Sequence, residues 1–496
     1  MSSPPATGRR RHPAIEETAL PGTLTVRRVA VPTVAPCVLF DVGVEDGFIA
    51  RIDPVSDADP HRTDPHRAEF LAEPRDEPRD EPHPAGLLDE PREEPLELWP
   101  GYVETHGHLA LPASFDGSLD DPRLVALQYL FHGVTHVVDM FGFPLVKQRW
   151  ESGRAQSPVP YPDLVHCGYA ATSMLDSAGR TGHGVEFPAP VFMLGVPGDV
   201  DLILHANRAH GARFLKVMFT DGTELPDSTQ RFSRLPSSAL EDVARATTEH
   251  GVPAVLDCNT REEVLQAYGH GFRLFAHPVR DVELSADDWR VLRGARFVST
   301  LSGLRPMIMQ SAEFLREYAR PGFAQTQDVA NLDYVAQVEE PFGVRLGWQE
   351  WRTEALENMR TNSLAALERG ALLVGTDCGN TGAFHGYSLL GELDLLAGAE
   401  HRMADRRRAL RRALRRAVTV DGLRFFDELS GRPPTDQPIA VGAAATFNLL
   451  GATASGAALS ALPQATVVNG TVVDRRAIVR DIRALRSSAT RGKVIL

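Results

Sequence analysis

Between Leu98 and about Phe426, eight short apolar runs alternate with stretches of helical length, and few folds accept that rhythm. The runs are Tyr102–His108, Val134–Met140, Leu164–Ala170, Arg213–Phe219, Ala254–Asp257, Leu274–His277, Arg296–Leu301 and Ala371–Asp377. Strands covered on both faces by crossover helices are continuously apolar in this way, and eight of them suit a closed parallel (β/α)8 TIM barrel. On both sides the pattern turns to short β: Leu24–Val26, Cys37–Phe40 and Val44–Ile49 before it, Ala444–Leu449, Thr466–Asn469 and Thr471–Val473 after it. Asp46-Gly47 and Asn469-Gly470 are two-residue hairpin signals. The expected fold class is therefore α/β, with the barrel inserted into a small β-sandwich domain built from both chain ends.

The expected division is a flexible tail at 1–20, a first part of the sandwich at 21–55, a mobile insertion at 56–96, the barrel at 97–430 and the second part of the sandwich at 431–496. The insertion, with runs such as Glu73-Pro74-Arg75-Asp76-Glu77-Pro78, has too few apolar residues to offset its ordering entropy. The long connection after Leu301 carries Trp348 and Trp351, and it is expected to add helices that cover the barrel mouth as a lid.

A formal charge of -13 opposes a nucleic-acid surface, which needs a basic stripe. No run is long enough to span a bilayer, and no apolar stretch follows the arginines of the first 17 residues, so a cytoplasmic protein with no membrane partner is expected. The four cysteines are far apart and suggest neither a disulfide framework nor a zinc ribbon. Of 52 basic residues only Lys147, Lys216 and Lys493 are lysines, so a lysine inside an apolar run is not readily dismissed as a surface charge.

Polar residues punctuate the ends of these runs. His106 and His108 lie two apart behind Pro100-Gly101, a spacing that puts both imidazoles on one face of a strand. Lys216 lies in Phe214-Leu215-Lys216-Val217-Met218, His277 follows Leu274-Phe275-Ala276, and Asp377 follows Val374-Gly375-Thr376. Each has an ordinary alternative: a core histidine, a lysine paired with a carboxylate, a helix N-cap. Together they point to a shared cation, because strand C-terminal ends converge on the mouth of a barrel and burying several lone charges there is costly.

These motifs in order, with Gly133-Val134-Thr135, Gly182-His183-Gly184, His385-Gly386 and Gly391-Glu392-Leu393, resemble the metal-dependent amidohydrolase superfamily. The branch they resemble holds imidazolonepropionase-like hydrolases and Xaa-Arg dipeptidases. The resemblance implies that His106 and His108 bind a first divalent metal, that Lys216 is carboxylated and bridges two metals, that His277 binds the second, and that Asp377 is both ligand and proton shuttle. Zinc is the expected metal. It also implies hydrolysis of an amide or other C–N bond, other than an ordinary peptide bond, in a small or peptide-like substrate, by a homo-oligomer. His183, Asp221, Arg305 and His385 are candidates for substrate contact.

One position departs from the pattern. Where the family's fifth strand ends in histidine, this chain has Asp257, a shorter and anionic residue. Asp257 can ligate the second metal and shift preference toward manganese or iron. It can equally leave a one-metal site, or accompany the loss of hydrolysis. The last option leads to a non-hydrolytic enzyme of a specialised pathway or a metal-poor binding protein.

Overall fold

The computed structural model describes residues 15–17, 23–55, 95–115, 117, 119–185, 189–227, 230–320, 322–328, 330–337, 348–398, 407–451 and 459–489. The insertion expected at 56–96 therefore lies, up to residue 94, outside the described residues.

The chain begins with β1 (Ile15–Glu17), β2 (Leu24–Val31), β3 (Ala35–Glu45), β4 (Phe48–Pro54) and β5 (Glu97–Pro100). A run of parallel strands follows: β6 (Tyr102–Gly107), β7 (Val134–Asp139), β8 (Asp163–His166), β9 (Ala170–Ser173), β10 (Val191–Leu194), β11 (Leu215–Met218), β12 (Ala254–Asp257), β13 (Leu274–Phe275), β14 (Arg296–Val298) and β15 (Leu372–Leu373). The last strands are β16 (Phe447–Leu450), β17 (Ala465–Val468) and β18 (Thr471–Val472), followed by a helix over Arg475–Ala489.

Both chain ends join in one mixed eight-stranded sheet, ordered β18-β17-β16-β5-β2-β3-β4 with β1 on β2. Both hairpin signals are realised: Asp46 and Gly47 have φ of 50° and 87°, Asn469 and Gly470 of 47° and 76°, the positive pairs that a tight turn of matching twist requires. Ile15–Glu17, assigned from sequence to a loose tail, instead pairs antiparallel with Leu24–Val26. Its Ile15 is buried, which rewards the pairing.

The parallel strands form a three-stranded sheet, β6-β7-β8, and a seven-stranded one, β10-β9-β11-β12-β13-β14-β15. The two are tied at both flanks. Arg213 N donates to His166 O (3.0 Å), while Asp377 N donates to His106 O and His108 N to Cys378 O (2.8 Å each). One buried cluster draws Val103, Val138, Val165, Ala170, Met218, Val255, Leu274, Val298 and Leu373 from β6 to β9 and β11 to β15, and Phe425 and Phe426 of the helix Gly422–Ser430 join it. The run expected as a single strand over Leu164–Ala170 is broken. Gly168 has φ of 70° and a Cβ there would meet Asn207 Oδ1 at 2.4 Å, so β8 stops and β9 restarts, with β10 as an unexpected edge partner.

Helices connect the strands, several with caps written in sequence: Asp121 before Pro122–Phe131, and capping boxes Thr260/Glu263 and Ser285/Asp288. The long connection after β14 is helical as expected, with segments Leu301–Leu304, Ser311–Tyr318, Phe323–Thr326, Ala330–Gln337 and Trp348–Glu368.

Candidate metal centre

His106, His108, Lys216, Asp257, His277 and Asp377 meet at the C-terminal ends of the parallel strands. His106 lies in β6, and its Nδ1 is 2.9 Å from Ala276 O. A carbonyl can only accept, so Nδ1 carries the proton and Nε2 presents a bare lone pair to the centre. That Nε2 is 3.2 Å from His108 Nε2 and 3.3 Å from Asp377 Oδ1, and His108 Nε2 is 2.8 Å from the same oxygen. Asp377 reaches in from beyond β15 on a left-handed backbone, φ 59°. His108 is stacked on Phe141 at 4.1 Å between ring centres, which fixes its plane.

The other half adjoins it. Lys216 Nζ is 3.4 Å from His106 Nε2 and 3.2 Å from Asp257 Oδ2, and His277 Nε2 is 3.5 Å from that carboxylate oxygen. Strand register explains the contact: Lys216 is paired with Val255 and Met218 with Asp257, so Lys216 and Asp257 are diagonal neighbours on one face. Lys216 thus has a carboxylate partner, and in this chain the partner is Asp257.

Burial dominates the electrostatics. Desolvation lowers His106 to about 3 and His108 to about 4, so both are neutral and able to ligate. Burial alone would raise Asp257 and Asp377, but the Lys216 charge holds Asp257 well below the carboxylate range, and Asp377, beside His106 and His108, is likewise low. The donor set fits a divalent metal. Two neutral imidazole nitrogens and one carboxylate oxygen lie within 4.8 Å of one another, the N/O ligand mixture that zinc accepts.

Of the remaining candidates, His183 and His385 adjoin this centre. His183 has its ring 4.6 Å from Phe232 and contributes to the field at Asp257. Asp221 is engaged by Arg234 at 3.2 Å, and Arg305 by Glu313 at 3.4 Å. His385 is buried and donates Nε2–H to His108 O at 3.0 Å, placing it behind His108. Glu104 escaped the sequence reading. Its carboxylate accepts from the amides of His106 (3.0 Å) and Thr376 (2.9 Å) and from Thr376 Oγ1 (2.7 Å), tying β6 to the segment that carries Asp377. An acid inside the apolar run Tyr102–His108 was the available signal. Asp139, at the end of β7, accepts from Leu109 N and is pushed up to about 8 by burial.

No family model matches the chain, and no curated protein matches it. Solved structures do. Bottromycin amidohydrolase is similar at 19% identity and a TM-score of 0.59, over 95% of this chain and 91% of that one. A. niger ochratoxinase is similar at 15% identity and a TM-score of 0.57, over 87% and 91% of the two chains. A Xaa-Pro dipeptidase with bound methionine in the active site gives 12% identity and a TM-score of 0.56, over 88% and 95%. At these identities the likeness shows the fold, which this chain shares with bottromycin amidohydrolase, the ochratoxinase and the Xaa-Pro dipeptidase.

Proposed function

We propose that this protein is a metal-dependent amidohydrolase that cleaves an amide or other C–N bond of a small or peptide-like molecule, other than an ordinary peptide bond. The convergence of His106 Nε2, His108 Nε2 and Asp377 Oδ1 at 2.8–3.3 Å, with Lys216, Asp257 and His277 against them, carries the reading. The hydrogen bonds that tie the two parallel sheets at both flanks support a closed (β/α)8 barrel. The mixed sheet from both chain ends supports its insertion into a β-sandwich domain.

His106, His108 and Asp377 would hold one divalent cation, zinc by its ligand types, with manganese or iron as alternatives. Asp257, His277 and a carboxylated Lys216 would hold a second. Such a cation lowers the pKa of water towards ~7 and polarises a carbonyl. Asp377 is ionised and has 19% of its side chain exposed, more than the other ligands, so it can meet the attacking water. Its carboxylate takes the water proton as oxygen adds to the carbonyl carbon and delivers it to the nitrogen as the C–N bond breaks. His183, Asp221, Arg305 and His385 shape or support the surrounding mouth.

The Lys216–Asp257 ion pair is the arrangement expected while Lys216 is not carboxylated. A carboxylated Lys216 beside Asp257 would set two anions together, which only a second cation could balance. The reading extends to a cytoplasmic homo-oligomer with no nucleic-acid or membrane partner; among the described residues no helix is long and apolar enough to cross a membrane.

Metal analysis of the purified chain, followed by a screen of amides for amine release, tests the proposal. Stoichiometric divalent metal and metal-dependent hydrolysis lost in Asp377→Asn are expected. A chain that takes up no transition metal on reconstitution overturns it.

A further inference from the structure

Among the described residues five non-glycine positions have a left-handed backbone. Asp46 and Asn469 are hairpin turns, and Arg28 sits where the β2–β3 register shifts. The other two, Thr300 (φ 47°) and Asp377 (φ 59°), are at the metal centre. Thr300 is the β-branched one, and for a β-branched residue this conformation is a genuine outlier.

We propose that Thr300 is a positioning residue for the metal centre: its strained turn aims a hydroxyl at His277 Nδ1 and so sets the tautomer and plane of that ring. The proposal rests on the metal centre argued above. Thr300 Oγ1 is 2.8 Å from His277 Nδ1, and Thr300 is 1% exposed. The turn is held on both sides. Thr300 N donates to Gly375 O at 3.0 Å, and the next two amides, of Leu301 and Ser302, donate to the buried Glu392 carboxylate at 2.9 and 2.6 Å.

His277 Nε2 is 3.5 Å from Asp257, too far for a strong hydrogen bond, so the short contact to Thr300 is the tighter hold on the ring. A hydroxyl can accept from Nδ1–H or donate to Nδ1, and in the accepting form proposed for Thr300 the His277 Nε2 faces the centre as a bare lone pair, the form a metal ligand needs. Glycine would adopt the backbone freely but brings no hydroxyl. Only a hydroxyl residue forced into this conformation does both.

Thr300→Val, Thr300→Ser and Thr300→Gly in the full chain test the assignment. Histidine-ring 15N NMR of the metal-free protein, with His277 assigned through His277→Gln, should show the Nδ1–H tautomer in the parent and Thr300→Ser and a mixture in Thr300→Val and Thr300→Gly. Zinc affinity by chelator competition should fall about 10–100-fold in the last two, while the melting temperature of Thr300→Gly stays level or rises. An Nδ1–H tautomer and zinc affinity unchanged in Thr300→Val and Thr300→Gly, or a parent ring protonated on Nε2, would overturn the assignment. Absence of zinc binding by the parent would instead overturn the metal centre, and the tautomer would still decide the role of Thr300.

Discussion

Replacing Lys216 by methionine keeps most of the side-chain volume and removes one buried charge. Nζ lies 3.2 Å from Asp257 Oδ2, and the two side chains are 2% and 4% exposed, so solvent cannot take over from the lost partner. At an effective dielectric of ~20 the separation corresponds to a gross attraction of about 5 kcal/mol, and removing one member of a buried pair costs about 3–5 kcal/mol in stability. His277 is a poor substitute because its Nε2 is 3.5 Å from the same oxygen and the ring must be charged to help. The double variant Lys216→Met/Asp257→Leu removes both charges and both desolvation costs, and it should return to within about 1 kcal/mol of the parent. Urea denaturation of the metal-free proteins, followed by tryptophan fluorescence, measures all four corners of the cycle. A loss below about 1 kcal/mol in the single variant, or a double variant no more stable than the single, would refute the buried ion pair.

Other outcomes follow from the same structure. Burial pushes Glu263 up to about 7 from its ordinary 4.5, despite the amides of Asn259, Asp221 and Thr260 that donate to it. A raised acid contributes stability that is present below its unfolded pKa and is lost as pH rises through the folded one. Glu263→Gln should therefore flatten the fall in stability between pH 4.5 and about 7, by about 3 kcal/mol, in denaturation curves taken across that range. Gly303→Ala would place a Cβ 2.9 Å from both Cβ and Oδ2 of Asp377. Because Glu392 anchors that turn, Asp377 must shift, and kcat/KM on an amide substrate should drop about 100-fold; parental activity would contradict the close packing. Zinc at a hundredfold excess over its Kd should add about 2.7 kcal/mol to the stability of the metal-free chain, an effect absent from His106→Ala/His108→Ala in the same denaturation assay.

Much of the fold was legible in short stretches. The eight apolar runs, the hairpins at Asp46-Gly47 and Asn469-Gly470 and the Thr260/Glu263 capping box are decided by neighbours within a few residues, through side-chain periodicity and backbone preference. The His106/His108 pair was legible for the same reason, since two-residue alternation along one strand is a local property. Less local features escaped. Ile15–Glu17 lies in a polar, proline-containing stretch and becomes a strand only because the edge of β2 is free to pair with it. β10 exists because β9 offers an edge, and Gly168 breaks the preceding run because Asn207 presses on it from a distant helix.

What the sequence by itself determined was the chemistry available: two imidazoles on one strand, a rare lysine, and carboxylates and a histidine at the ends of other apolar runs, all capable of ligating a cation. Tertiary structure decided how those groups combine. The β11–β12 register sets Asp257 diagonally from Lys216 and makes it that lysine's counter-charge, while a strained turn at Thr300 turns a hydroxyl onto His277. Ligand identity follows from side-chain type, which the chain carries locally. Charge partnership and ring orientation depend on distances of about 3 Å between residues tens of positions apart, and only packing and register set those.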